Sequence, residues 1–140
     1  MTRKRSEINE FDFLIDQSVR WGDMDSMGHV NNGVYFTYAE GARIAFLDNL
    51  LGSQGGNEGG QGPILAHTAC DFHEQLHYPA DLQVGVRVEK VGRSSATLRC
   101  PVFRRGQERA VADVRAIIVW FDYQTQQAIP LPEELRELAP

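Results

Sequence analysis

Residues 33–51, GVYFTYAEGARIAFLDNLL, decide how the rest of the chain must fold. Apolar side chains recur at Tyr35, Ala39, Ala42, Phe46 and Leu50, the spacing of one face of an α-helix. Thr37, Glu40 and Asp48 fall on the opposite side, but Ile44 and Leu47 interrupt it. A helix apolar over most of its circumference is expected to be buried rather than laid on a surface. The small residues Ala39, Gly41, Ala42 and Ala45 would let a sheet approach it closely.

The flanking sequence supplies that sheet. Residues 12–21 read as an opening strand, and after Pro63 the chain reads as β-structure throughout. ILAHTACDFHEQL places Ile64, Ala66, Thr68, Cys70 and Phe72 on one face, and LQVGVRVEKV, SATLRCPVFRR and RAVADVRAIIVWFD follow. Period-two alternation of this kind predicts antiparallel strands with one face buried. Turns are expected at 92–94 and 105–107, and Pro101, which has no N–H to give a ladder, predicts an edge strand or a bulge. PEELRELAP suits a short terminal helical turn. Strand, buried helix, then four long strands is an α+β layer architecture, read as one domain over residues 1–140.

Composition excludes several classes. Apolar residues make up 42% and charged residues 24% of the 140, an ordinary globular balance. A formal charge of -5, from 14 basic and 19 acidic residues, speaks against bulk attraction to nucleic acid or anionic membrane. No apolar run approaches the length of a membrane span, and MTRKRSEINE lacks the apolar centre of a signal peptide. Cys70 and Cys100 are too few for a disulfide framework and lack metal-ligand spacing, so a cytoplasmic setting is expected. Residues 1–11, with the basic patch Arg3-Lys4-Arg5, read as a frayed, solvated terminus. Residues 52–62 lie within a run that holds six of the thirteen glycines and read as a flexible connector, or as a gate beside a substrate channel.

Chemistry concentrates just ahead of the helix, in DMDSMGHVNN, residues 23–32. A calcium loop would use Asp23, Asp25 and Gly28, but Met27 and Val34 stand where oxygen ligands are required. A D-x-D phosphoryl-transfer site would need a larger α/β domain with a buried parallel strand, and neither is visible. A metal site from Asp23, Asp25 and His29 with His67, His73 or His77 has the right side chains but no ligand spacing. Helix physics offers a fourth reading. Asn31 or Asn32 is a good N-cap, and the helix start behind it presents unpaired N–H groups and partial positive charge. Those groups can polarise a carbonyl oxygen that is becoming an anion. Asp25 could act on the carbonyl carbon or on water, and Gly28 lets the chain turn tightly between acid and helix. An oxyanion site beside a carboxylate is suited to acyl transfer. The alternative is a capped helix with a solvated turn.

The string W-G-D-M-D-S-M-G-H-V-N-N-x-x-Y followed by Y-A-E-G-A-R resembles the hotdog-fold acyl-CoA thioesterases of the 4-hydroxybenzoyl-CoA thioesterase-like family. H-Y-P-A-D-L-Q-V-G-V-x-V-x-x-V-G-R-S-S resembles that family's middle strands, and together the likeness spans about residues 15–122. The resemblance implies a five-stranded antiparallel sheet wrapped around one long helix. It implies hydrolysis of an acyl-CoA thioester, with Asp25 as the catalytic carboxylate and the Asn32 N–H polarising the thioester carbonyl. Asp23 falls at a position of structural use. Gly28, His29, Val30, Asn31 and Tyr35 of the same motif are expected at the substrate. The region from His67 and Thr68 to Asp71 would face the acyl group across a dimer interface, and Arg93, Ser94 and Ser95 would meet the nucleotide end of CoA. It further implies a homodimer or dimer of dimers (a homotetramer), with no cofactor or metal beyond the CoA of the substrate. The H-V-N-N form is closer to the broad acyl-CoA hydrolase branch than to the hydroxybenzoyl enzyme. Two other functions remain open: a hotdog hydratase or dehydratase, for which His77-Tyr78-Pro79 is the candidate, and a non-catalytic acyl-CoA binding protein. An aspartate beside an electrophilic carbonyl would serve binding alone poorly.

Overall fold

The computed structural model describes residues 4–52 and 54–140, so Arg3 of the basic patch and Ser53 of the glycine-rich run lie outside the described residues. Strand β1, Phe13–Ser18, precedes helix α1, Asn32–Leu51. Then come β2, Gln61–Phe72, β3, Asp81–Val91, β4, Ser95–Arg104, and β5, Ala112–Asp122. A two-residue β6, Gln127–Ala128, and a last turn of helix, α2, Glu133–Arg136, complete the chain. The sheet runs β1-β3-β4-β5-β2, antiparallel at every pairing, with β6 attached to β5. One long helix in the curl of a five-stranded antiparallel sheet is the hotdog fold.

Helix α1 starts where Asn31 Oδ1 accepts the Gly33 N–H at 2.9 Å, so Asn31 is the N-cap and Asn32 the first helical residue. It stops at Gly52, whose φ of 69° is left-handed backbone that a glycine adopts without strain. Tyr35, Tyr38, Ala39, Ala42, Arg43, Phe46 and Leu47 are buried, with Ala39 and Ala42 fully so, and these small residues set the helix against the sheet. Facing them are Val84, Leu98, Val102, Val114 and Ile118, each buried. Sequestering a side chain such as Leu98 is worth about 1.5–3 kcal/mol. Burial does not run round the whole helix, however. Thr37, Glu40, Gly41, Ile44 and Asp48 stay exposed, Ile44 by 45%.

Three further expectations are corrected. The alternating face of residues 64–72 is not buried: a bulge between Leu65 and His67 turns Ile64 to the face opposite Cys70 and Phe72, and β2, an edge strand with no neighbour beyond it among the described residues, is half-buried or exposed along almost its whole length. Pro101 lies on an interior strand, between β3 and β5. The β3–β4 register pairs Leu82–Val84 with Val102–Arg104 and resumes at Arg87–Arg99, passing over the Gly85–Pro101 position, so the missing N–H is absorbed by a gap in one ladder. Residues 4–11 are not frayed. Ser6 is fully buried with its N–H on Asp113 Oδ2, the Ile8 N–H reaches Glu108 O, and Phe11 packs edge-on against Phe103. The turns at 92–94 and 105–107 fall where expected. In the glycine-rich run, Gln54–Gly56 make a 3-10 turn and the Tyr123 hydroxyl donates to Asn57. Among the described residues, no helix is long and apolar enough to cross a membrane, which says nothing of membrane β-barrels.

Candidate active site

The loop between β1 and α1 is built around two aspartates with different work. Asp23 is 2% exposed and accepts the Arg20 N–H at 2.9 Å, the Arg20 guanidinium at 3.0 and 3.2 Å, and the Tyr38 hydroxyl at 2.7 Å. Burial is the strongest single influence on its carboxyl and pushes it up, but these donors together hold it below the usual aspartate value. The same pairing, added to burial, raises the Tyr38 hydroxyl. The Asp23 carbonyl also accepts the Asn31 N–H at 2.9 Å, so this residue fixes the point where the helix begins.

Asp25 is half-buried. Its Oδ1 accepts the Met27 N–H at 2.9 Å and the His29 N–H at 3.4 Å, while its own N–H donates to His29 O at 2.8 Å. The turn closes through Gly28, at φ 82°, whose N–H reaches Asp25 O at 3.1 Å. Val30 donates to Leu76 O, and His77 Nδ1 lies 2.9 Å from Gly28 O with its ring 4.8 Å from that of His29. His77 therefore clasps the loop to the chain entering β3 and is not among the residues that line the cavity beside it.

That cavity, about 620 Å³, is lined by Asp25, Met27, His29, Val30, Asn32, Tyr35 and the segment 72–75. The Asn32 N–H is one of those at a helix start without an intrahelical acceptor, and Asn31 uses its side chain and carbonyl on Gly33 and Val34. Burial pushes the Tyr35 hydroxyl up, against a bond from the Leu76 N–H, and its ring meets Phe72 edge-on at 5.1 Å. Glu74 at the rim binds Arg104 at 2.9 Å and Arg5, and these two hold its carboxyl low.

Of the residues singled out from sequence, the fold brings Asp25, His29, Val30, Asn32 and Tyr35 into one cavity; Gly28 and Asn31 shape its wall. His67 and Thr68 lie midway along β2, His67 exposed beside a bulge and Thr68 donating to Arg115 O at 2.9 Å. Arg93, Ser94 and Ser95 form the β3–β4 turn, tied by carbonyls to Leu131 and Trp120 near the far end of α1. Within one chain neither group reaches the Asp25 cavity. Sequence reading missed Phe72 and His73 as lining residues. His73 Nε2 sits 3.0 Å from Asp113 Oδ2, and Asp113 is itself buried and bonded by the Ser6 N–H and hydroxyl. The partners are 40 residues apart, one just past the end of β2 and the other on β5, and no local motif joins them. Among the described residues, no three His, Cys, Asp or Glu side chains are grouped to hold a metal ion.

Residues 19–138 match the thioesterase-like superfamily. The chain belongs to this superfamily. Among solved structures, the PA5185 protein of Pseudomonas aeruginosa strain PAO1 superposes with a TM-score of 0.87 at 27% identity, covering 96% of this chain and 94% of that one. A thioesterase from Thermus thermophilus, crystallised with coenzyme A and Zn, superposes with a TM-score of 0.77 at 32% identity, over 91% and 97%. The uncharacterized protein YsmA of Bacillus subtilis strain 168 is 32% identical over 88 residues, 63% of this chain. The match spans 58% of that relative's length.

Proposed function

We propose that this thioesterase-like chain hydrolyses an acyl-CoA thioester to a free carboxylic acid and CoA. The observation that carries the reading is one cavity holding both the Asp25 carboxylate and the start of α1 at Asn32. The thioester carbonyl oxygen accepts the Asn32 N–H, where aligned peptide dipoles favour the charge that develops on attack. Asp25 either takes a proton from water as that water adds to the carbonyl carbon, or adds to the carbon itself to give a mixed anhydride that water then opens. In both routes the C–S bond breaks and the thiolate leaves as CoA. The two loop N–H bonds on Oδ1 keep the Asp25 side chain oriented while the cavity remains open to it. The coenzyme A in the Thermus structure supports CoA as the carrier.

The proposal includes a second copy of the chain. The largely exposed β2, paired with β5 on one side only and with Ile64, Leu65 and Phe72 at 37%, 47% and 48% exposure, is an edge that another strand would cover. Antiparallel pairing of two β2 edges would bring His67 and Thr68 of one protomer towards the cavity of the other, in a homodimer or a dimer of dimers. The exposed Arg93 and the half-buried Ser94 and Ser95, where β3 turns into β4, are assigned to the nucleotide end of CoA.

The test is free-thiol release, followed colorimetrically, from a panel of aliphatic and aromatic acyl-CoAs. Release is the expected result. Tight binding without release would favour a binding protein, and an absorbance change in an enoyl-CoA would favour a hydratase; either would remove the hydrolase reading.

A further inference from the structure

A second cavity, of about 630 Å³, opens where α1 passes the start of β2. Ile44, Leu47, Ile64, Leu65 and Ile118 give it an apolar wall, and Arg43 enters that wall from the helix. Arg43 is 9% exposed, an unusual state for a guanidinium with five N–H donors. Its ionic neighbour is Glu40 Oε2 at 4.0 Å, beyond hydrogen-bond length, and that glutamate side chain is 60% exposed. Among the described residues Arg43 makes no closer polar contact. Its charge is felt at the buried Cys100 thiol beneath the helix, where it works against the burial that pushes this thiol up to about 12. The Arg43 nitrogens are not among the buried polar atoms left without a partner, so they open to the groove, where a ligand carboxylate would gain charge-assisted bonds beside an apolar wall.

We infer that this groove holds the distal end of the acyl group, and that the preferred acyl group ends in a carboxylate received by Arg43. A planar guanidinium matches a carboxylate in paired N–H···O bonds, and the apolar wall suits the methylenes before it. Glu40 sits at the solvent rim, and the Asp48 carboxylate is engaged by the Gly55 N–H. Reach is consistent. The Asp25 cavity and this groove share no lining residue, but both are bounded by α1 and β2, the first with Phe72 and the second with Pro63, Ile64 and Leu65. Asn32 and Arg43 are 11 positions apart on the helix, about 16 Å along its axis. Helical side chains lean towards the N-terminus, which shortens the gap to a span that a medium-length chain covers. This inference rests on the thioester reading for what fills the seam.

The experiment pairs decanoyl-CoA with sebacoyl-CoA, the same chain with a terminal carboxylate. Calorimetry on Asp25→Asn protein gives the ratio of Kd values, and thiol release by the wild type gives the ratio of kcat/KM. Sebacoyl-CoA is expected to be favoured at least about tenfold in both, the scale of a charge-assisted bond. Arg43→Met should bring the ratio near one, and Arg43→Lys should restore part of it. A wild-type ratio near one overturns the inference without any variant, so a misfolded Arg43→Met does not protect it. A ratio near one together with a wild-type dimer that falls apart on Arg43→Met would mean that a second copy fills the groove, which also overturns it. Preferential binding of sebacoyl-CoA with no thiol release from any ester would remove the hydrolase reading and leave the carboxylate groove standing.

Discussion

Replacing Asp25 with asparagine separates the chemistry of this residue from its structural work. Asparagine keeps an Oδ1 that can accept the Met27 and His29 N–H bonds, so the loop and the start of α1 should hold their shape. What is lost is a carboxylate able to take a proton or to attack carbon, and kcat should fall about 10²–10⁴-fold, the range for a lost general base. Stability should change little. Even Asp25→Ala, which gives up both bonds, frees N–H groups at the surface that water can satisfy, a loss of about 1 kcal/mol or roughly 3 °C in Tm. The assay is thiol release at saturating acyl-CoA, with Tm by calorimetry and mass by light scattering on the same samples. Turnover within about threefold of wild type, in Asp25→Asn protein of unchanged Tm and mass, would falsify the catalytic assignment and leave Asp25 as a loop residue.

Asp23 should behave in the opposite way. Asp23→Ala strands the buried Tyr38 hydroxyl and the Arg20 N–H and should cost about 2–3 kcal/mol, read as a lower denaturation midpoint. Because its carboxyl lies below the ordinary value in the folded chain, its stabilisation is present above about pH 4 and fades as pH falls through the lower folded value. Acid unfolding of Asp23→Asn should therefore lack part of the wild-type slope below pH 4, and an identical slope would show that its donors do not favour the charged form. Arg93→Ala should raise KM for acyl-CoA several-fold with little effect on kcat, and should flatten the salt dependence of KM; an unchanged KM at low salt would return Arg93 to a solvated turn. Light scattering at micromolar concentration should give at least a dimer mass, and Leu65→Lys on the exposed β2 edge should lower it. A wild-type monomer mass would end the shared-site proposal.

The long helix was legible in the sequence because a 3.6-residue period over some twenty positions is a strong signal, and the turns at Gly92 and Gly106 because glycine punctuates strands. Which asparagine caps the helix, and which aspartate in GDMD is buried, were not fixed by spacing, since both choices satisfy helix physics equally. Tyr38, 15 residues on, decides the second by reaching back to Asp23 and leaving Asp25 free to face the cavity. The terminus was misread for a related reason. Nothing local marks Ser6 as buried, because its partner Asp113 is 107 residues away. Such partners become visible only when the sheet order is known. The same holds for His73, which the pairing of β2 with β5 sets beside Asp113.

The alternation in β2 is the most informative mismatch. Ile64, Ala66, Thr68, Cys70 and Phe72 follow a pattern that calls for one covered face, yet the bulge after Leu65 parts Ile64 from Cys70 and Phe72, the strand is open along its outer edge, and Phe72 is 48% exposed. The open face of α1, with Ile44 at 45%, lies beside it. A helix expected to be buried nearly all round and a strand expected to bury one face are thus left incomplete along the same seam. The bulge after Leu65 accounts for the strand's part of that mismatch, and a second β2 edge laid along the first would pair the open strand while leaving the groove beside Ile44 to the acyl group.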